Sequence, residues 1–248
     1  MATTDAEKQA PNRRARLRAA MVGDIKAVAR RQLAEQGPGA VSLRGIAREI
    51  GTASSALFRY FPTYNDLITA LVVDAYDSLT DAMSAGRDVV DLADHAGRWY
   101  AICLAYRGWS LANPSEFALL HGTPIPGYDA PPEATGPAAG RFAGVGIGSF
   151  AAAVEAGAAD PGRTQVPAGI RLGERWSDLL RGPAGGYEPR IAGIVLNAWA
   201  SLQGFLVAEV LGNLSILVDD TDSLYRAHVR TVMLGMGFDP VLVEAAVR

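Results

Sequence analysis

Only one cysteine, Cys103, stands in the 248 residues. A disulfide within the chain is therefore excluded, as is a thiolate zinc cluster, and a reducing compartment fits. The three histidines, His95, His121 and His228, are scattered. There is no G-x-S-x-G elbow, Walker loop or H-E-x-x-H pair. Gly144-x-Gly146-x-Gly148 follows no strand and so departs from the dinucleotide fingerprint; it reads as a close helix crossing. No catalytic residue, metal or cofactor is expected, and the chain does not read as an enzyme. Met1–Pro11 is polar and lacks the apolar stretch of a secretory signal. Lysine is nearly missing, with Lys8 and Lys26 against 21 arginines, which reads as coding bias and not as function. Strand alternation and 20–50-residue repeats are also lacking. One uncharged run, Ile191–Ala208, is long enough to raise a membrane span. It contains Asn197, Ser201, Gln203 and two glycines between Arg190 and Glu209, and a buried or interface helix accounts for it better. No membrane association is expected, and the location is read as cytoplasmic.

What is present is a large apolar content, 49% of the residues, sufficient for a sizeable core. Charge is unevenly distributed. Residues 1–62 carry 11 basic and 5 acidic side chains, and the remainder carries 12 and 21. A basic head on an acidic body suits a nucleic-acid-binding module joined to a body that does not bind nucleic acid. A solvated helix with a basic leader has the same charge pattern.

Helical periodicity runs through the chain, and an all-α fold of nine or ten helices is expected. Residues 1–14 read as a flexible basic leader. Leu17, Met21, Ile25, Val28 and Leu33 form one stripe, ended by Gly37-Pro38-Gly39. A short helix is expected from the N-cap Ser42 to Ile50, with Leu43, Ile46, Ala47 and Ile50 inward. Gly51 breaks it, and a second short helix spans Ser54–Tyr60 before Phe61-Pro62. Tyr64–Met83 follows, with Leu67, Ile68, Leu71, Val72, Ala75 and Leu79 inward. Further helices are expected at Asp88–Ala112, Glu116–His121, Arg141–Ala159, Ile170–Leu180, Pro189–Leu211 and, last, from about Asp222. Gly122–Gly140, rich in glycine and proline, and Gly182–Pro189 read as loops. The implied division is a DNA-binding domain at 15–64 and a larger helical domain at 65–248.

Two short helices pivoting on Gly51 after a longer one form a helix-turn-helix. The second helix of such a unit enters the major groove while the first crosses the backbone. The runs Ser42-Leu43-Arg44-Gly45-Ile46-Ala47-Arg48-Glu49-Ile50-Gly51 and Ser54-Ser55-Ala56-Leu57-Phe58-Arg59-Tyr60-Phe61-Pro62, then Asp66-Leu67, resemble the signature of TetR-type transcriptional repressors over residues 15–85. That resemblance implies base or phosphate contacts at Ala53, Ser54, Ser55 and Arg59, and phosphate contacts at Ser42, Arg44 and Tyr60. Tyr64 occupies a position that is usually basic, so a charge contact is lost while a hydroxyl remains. Phe58 replaces the usual tyrosine and is expected, with Phe61, to pack in the core. Ser54 and Ser55 are equally suited to capping the recognition helix, and Arg48 to being a solvated charge.

The segments Trp109-Ser110-Leu111-Ala112-Asn113-Pro114, His121-Gly122-Thr123-Pro124 and Ala198-Trp199 to Gly204, then Glu209, resemble the WHG-type regulatory domain of the same family. The implied partners are a pseudo-palindromic double-stranded operator, a small largely apolar effector and a second copy of the chain. Ile191–Leu211 is apolar nearly all round. It is either a core helix or a two-fold interface helix, with Tyr225, Val229, Val232 and Met236 completing a contact to the partner. The candidate effector residues are the aromatics Trp99, Tyr106, Trp109, Phe117, Phe150, Trp176 and Trp199, with His121 and Gln203; Asn113 is a further polar candidate. Trp99 and Tyr106, seven apart, share a helix face. Core packing explains each of these equally well. The runner-up reading is a ligand-binding helical protein with a vestigial helix-turn-helix, and repressor is not separable from activator.

Overall fold

The computed structural model describes residues 13–37, 41–122, 125–174 and 187–248. These residues contain ten α-helices and no strand. An isolated antiparallel bridge pairs Ala159 with Phe238. The chain divides into two compact units. One comprises Met1–Leu71 with Ile125–Tyr128, the other Val72–Pro124 with Asp129–Arg248.

In the first unit, helix α1 (Arg13–Gln36) packs against α2 (Leu43–Ile50), which packs against α3 (Ser54–Leu57), and the start of α4 (Tyr64–Asp88) belongs to the same unit. The core is built from Ile25, Val28, Ala29 and Leu33 of α1, Leu43, Ile46 and Ala47 of α2, and Leu57. Phe61 and Leu67, Ile68 and Leu71 complete it. These are 3–4-spaced positions, which is why each helix buries one stripe. The stripe on α1 begins later than the sequence implies: Leu17 is 63% exposed, and residues 13–20 are all solvent-facing. Expected leader residues Arg13 and Arg14 already belong to α1, and residues 1–12 lie outside the described residues.

Local capping fixes the helix ends. The Ser42 hydroxyl accepts the Gly45 N–H at 3.0 Å. Gly51 closes α2 at φ 76°, ψ 30°, a left-handed conformation that costs a side-chain-bearing residue roughly 1–2 kcal/mol. Thr63 and Asp66 form a reciprocal box at the start of α4, with Thr63 N–H donating to Asp66 Oδ2 at 2.9 Å and Asp66 N–H to Thr63 Oγ1 at 3.1 Å. The segment Ile125–Tyr128 is tied to α4 by Asn65 Nδ2 donating to the Gly127 carbonyl (3.3 Å) and by the Thr69 and Tyr128 hydroxyls (3.2 Å).

The second unit contains the rest of α4, then α5 (His95–Ala112), α6 (Pro114–His121), α7 (Pro132–Glu155), a 3₁₀ turn at Pro161–Arg163, α8 (Pro189–Val210), α9 (Thr221–Gly235) and α10 (Pro240–Ala246). Several boundaries differ from expectation. Helix α4 continues to Asp88, and α5 begins only after Asp94, whose carboxylate accepts the Gly97 N–H at 2.8 Å. The expected Gly122–Gly140 loop is helical from Pro132 onward. Proline suits the first turn of a helix, where an N–H has no partner to lose. Pro137 frees only the carbonyl of Glu133, a solvent-exposed residue. The expected Ile170–Leu180 helix is not seen at 170–173, and 175–180 lie outside the described residues, as do 182–186 of the expected loop. A last helix, α10, follows the one expected to be last. Tyr225, Val229, Val232 and Met236 face their own core and not a partner, as all four are buried within the chain.

Helix α8 is long and apolar enough to cross a membrane by length and composition alone. Its apolar side is taken up by the core, with Ile191, Ile194, Val195, Leu202 and Leu206 buried. Asn197, Ala200, Ser201 and Gly204 are exposed. The ends of α8 and α9 are held to α5 by Arg107. Its guanidinium donates to both oxygens of Glu209 (2.9 and 2.7 Å) and to Asp222 (2.6 Å), and it stacks 5.1 Å from the Tyr225 ring centre. The Glu209 hydrogen bonds push the Arg107 pKa upward, against a smaller opposing effect of burial.

Candidate DNA interface and body cavity

The stretch Ser42–Tyr64 carries all eight residues that the sequence points to for DNA contact, and every one is at least partly open to solvent. Ser42, Arg44, Ala53, Ser55 and Arg59 are exposed; Ser54, Tyr60 and Tyr64 are half-buried. Ser42 spends its hydroxyl as an acceptor on α2, so its own hydrogen remains for donation. Helix α3 has Ala53 as N-cap and no side-chain cap, so the serines do not cap it. Regular α-helix stops at Leu57. The chain continues to Phe61 through tight turns, with Tyr60 N–H to Leu57 O at 2.8 Å and Phe61 N–H to the same carbonyl at 3.0 Å. The expected Ser54–Tyr60 helix is thus half regular helix and half turn, because Phe61-Pro62 forbids further winding.

Helix α1 braces this turn. Arg18 lies 5.1 Å over the Tyr60 ring and donates to the Arg59 carbonyl at 3.5 Å. Glu49 of α2 accepts from Gln32 at 2.8 Å and pairs with Arg31. Among the described residues, Arg44, Arg48 and Arg59 have no carboxylate partner, which leaves three cations for an external anion. Burial raises the Tyr64 phenol pKa, so that group stays a neutral donor. Phe61 is buried as expected, but Phe58 is not: it is 45% exposed and does not pack in the core. The reason is the turn itself, which points only one residue of the Leu57-Phe58 pair inward.

In the second unit, a cavity of ≈ 150 Å³ opens between helices. Its wall takes Tyr76 and Met83 from α4, and Trp99, Ile102, Cys103 and Tyr106 from α5. Helix α7 gives Ala139, Phe142, Ala143, Gly146 and Ile147, and α8 gives Ala192, Val195, Leu196, Trp199 and Leu202, with Leu172 between the two helices. Among the described residues, that wall has no Asp, Glu, Lys or Arg. The glycine ladder has a packing use at two rungs: a Cβ on Gly146 would meet Val195 Cγ1 at 3.3 Å and the Trp99 ring at 3.7 Å, and one on Gly148 would meet the Tyr187 hydroxyl at 3.1 Å.

Of the nine effector residues that the sequence points to, three line this cavity: Trp99, Tyr106 and Trp199. Phe117, His121 and Phe150 stand behind them. The rings of Phe117 and His121 pack at 6.5 and 6.3 Å from that of Tyr106, and Phe150 at 6.1 Å from that of Trp99. Trp109 is occupied elsewhere, its indole N–H donating to Ser78 Oγ at 3.0 Å. Asn113 is occupied as well, closing α5 through the Trp109 carbonyl at 2.8 Å. Gln203 is half-buried on α8, outside the wall, and Trp176 lies outside the described residues. Tyr76, Phe142 and the small residues of α7 were missed by the sequence reading. Only helix pairing reveals which side of α7 faces the aromatics.

The polar groups here are tuned by burial. The Tyr106 hydroxyl is 3.3 Å from His121 Nε2. Burial pushes the Tyr106 phenol up, and the nearby Trp199 indole offsets a part of that without reaching hydrogen-bond geometry. Burial lowers His121 to about 4, so it is neutral at pH 7. Cys103 is pushed up to about 12, so it remains a thiol. Among the described residues no three His, Cys, Asp or Glu side chains converge as metal ligands.

Comparison with known proteins agrees with this two-part layout. Residues 25–71 match the family described as bacterial regulatory proteins, tetR family. Residues 99–232, more than half of the chain, match the tetracyclin repressor-like C-terminal domain. The HTH-type transcriptional regulators Mb1846 of Mycobacterium bovis and Rv1816 of Mycobacterium tuberculosis are each 32% identical over 210 residues, covering 84% of this chain and 89% of theirs. SCO4313, a protein assigned a regulatory role, superposes with a TM-score of 0.68 at 28% identity, over 90% of this chain and 99% of that one. A tetR-family regulatory protein from Rhodococcus RHA1 has the same fold, with a TM-score of 0.59 at 17% identity over 88% and 97% of the two chains. The chain belongs to the TetR family of DNA-binding transcriptional regulators.

Proposed function

We propose that this regulator is a homodimeric repressor that a small, largely apolar effector releases from its operator. The observation that carries the reading is a cavity whose described wall has no charged side chain, in the body of a chain whose other unit presents arginines without a carboxylate partner among the described residues around a short recognition helix. In the dimer, the exposed side of α8, with Asn197, Ala200, Ser201 and Gly204, meets its counterpart together with Leu224, Ala227 and Thr231 of α9. Small residues let two helix pairs approach closely. The two recognition segments then enter successive major grooves about 34–36 Å apart on a pseudo-palindrome. Ser42, Arg44 and Tyr60 hold phosphates, while Ala53, Ser54, Ser55 and Arg59 face bases or phosphates. Tyr64 donates a hydrogen bond where a cation would otherwise sit.

An effector in the cavity stabilises a conformation in which the two recognition segments are wrongly spaced, and DNA affinity falls by the difference in its affinity for the two conformations. The family's regulators act on DNA inside the cell, and a cytoplasmic location follows for this chain. The test is fluorescence anisotropy on duplex from upstream of the chain's own gene across several salt concentrations. Binding that weakens with salt and is relieved by a cavity ligand supports the reading. A cavity ligand that leaves DNA affinity unchanged overturns the release mechanism. A failure to select any sequence from a random DNA pool overturns operator recognition.

A further inference from the structure

We propose that the body cavity selects an uncharged, single-ring aromatic compound bearing a hydrogen-bond acceptor, such as an aryl ketone, and that the indole N–H groups of Trp99 and Trp199 receive that acceptor. This rests on the cavity being the effector site and names the chemistry that it takes. Four buried side-chain polar atoms lack a partner among the described residues, and two of them are Trp99 Nε1 and Trp199 Nε1. Both indoles belong to the same cavity wall. A buried donor without an acceptor is costly and is ordinarily paired. The wall has little to offer them: the Tyr106 hydroxyl, 3.3 Å from His121 Nε2, lies near the Trp199 indole without reaching hydrogen-bond geometry, and the Cys103 sulfur is a weak acceptor. No described residue of the wall supplies their acceptor, and an occupant of the cavity is placed to do so.

Charge is decided by the same wall. Among the described residues of the wall there is no Asp, Glu, Lys or Arg, so an ionised carboxylate or amine would be stripped of water with none of these to pair it. Size follows from the ≈ 150 Å³ volume; an apolar cavity of about that size in another protein holds one benzene. Ring character follows from the lining. Tyr76, Trp99, Tyr106, Phe142 and Trp199 supply faces and edges, while Ala139, Ala143 and Gly146 recur at four and three residues on α7 and leave room beside its backbone.

Three probes of matched size separate the terms by calorimetric titration of the full chain: acetophenone, ethylbenzene without the acceptor, and benzoate with a charge. Acetophenone is expected to bind about tenfold more tightly than ethylbenzene, the worth of one hydrogen bond to a buried donor, with benzoate weakest. Trp199→Phe and Trp99→Phe are each expected to shrink the acetophenone preference severalfold while ethylbenzene affinity moves less than twofold. Equal affinities for acetophenone and ethylbenzene, tightest binding of benzoate, or no binding of any probe overturns the proposal. Because the wild-type comparison needs no variant, a misfolded tryptophan variant does not decide it. Operator DNA separates the two readings. Preferential acetophenone binding without DNA release keeps the ligand chemistry and removes the effector role. DNA release by both neutral probes alike keeps the effector role and removes the acceptor.

Discussion

The two units of this chain solve opposite problems. The helix-turn-helix unit keeps its chemistry outside: Leu57 and Phe61 turn into the core, and Arg44, Arg59 and Ser55 are left in solvent. The body keeps its chemistry inside, where burial holds Cys103 and Tyr106 protonated and His121 neutral. A surface site needs only local geometry and unpaired charge. An interior site needs several helices to meet, and its polar groups acquire their properties from the absence of water.

The contrast can be broken most strongly at Arg107. Its pair with Glu209 is nearly closed to solvent, with side chains 12% and 7% exposed. Arg107→Ala is expected to cost about 3–5 kcal/mol by stranding the buried Glu209 carboxylate, read as a loss of thermal stability of the full chain. Next in size is Arg44→Ala with Tyr60→Ala. Operator affinity in anisotropy should fall on the order of a hundredfold, while titration of a cavity ligand is unchanged.

Acid should act on the body through His121. Its folded pKa lies below that of an unfolded histidine, so the stabilisation is whole above about pH 6.5 and is lost as pH falls toward about 4. The loss approaches about 3 kcal/mol by linkage. Denaturant titration across that window should show it, and a His121→Gln variant should have a flatter profile. Gly146→Val, which pushes a side chain toward Val195 and Trp99, should weaken ligand binding at least tenfold and cost about 1–3 kcal/mol, with DNA affinity in the absence of ligand retained. The smallest effect sharpens the surface side. Tyr64→Lys should raise DNA affinity severalfold and steepen the salt slope by about one.

Legibility in the sequence followed the same divide. Ser42, Gly51 and the Phe61-Pro62 step each mark a helix end by a contact within five residues, and α2 lies where they place it. Phe58 was misread because composition does not tell which of two adjacent apolar residues in a turn faces inward; Leu57 faces the core and Phe58 faces water. In the body, Trp99 and Tyr106 shared a face as their spacing requires, yet Trp109 and Phe150 belong to the same aromatic set and take packing roles. The proline-rich start of α7 hid a helix, since proline at a helix start and proline in a loop look alike.

By itself the sequence determined the helical fold, the helix-turn-helix, and the basic head on an acidic body, because each depends on periodicity, capping or charge that neighbouring residues carry. Only the tertiary structure decided which aromatics wall the cavity, which polar atoms are left without partners there, and that Tyr225 and Met236 turn into their own core. Those outcomes depend on how α4, α5, α7 and α8 pack, and residues far apart in the chain meet there for reasons that no short stretch contains.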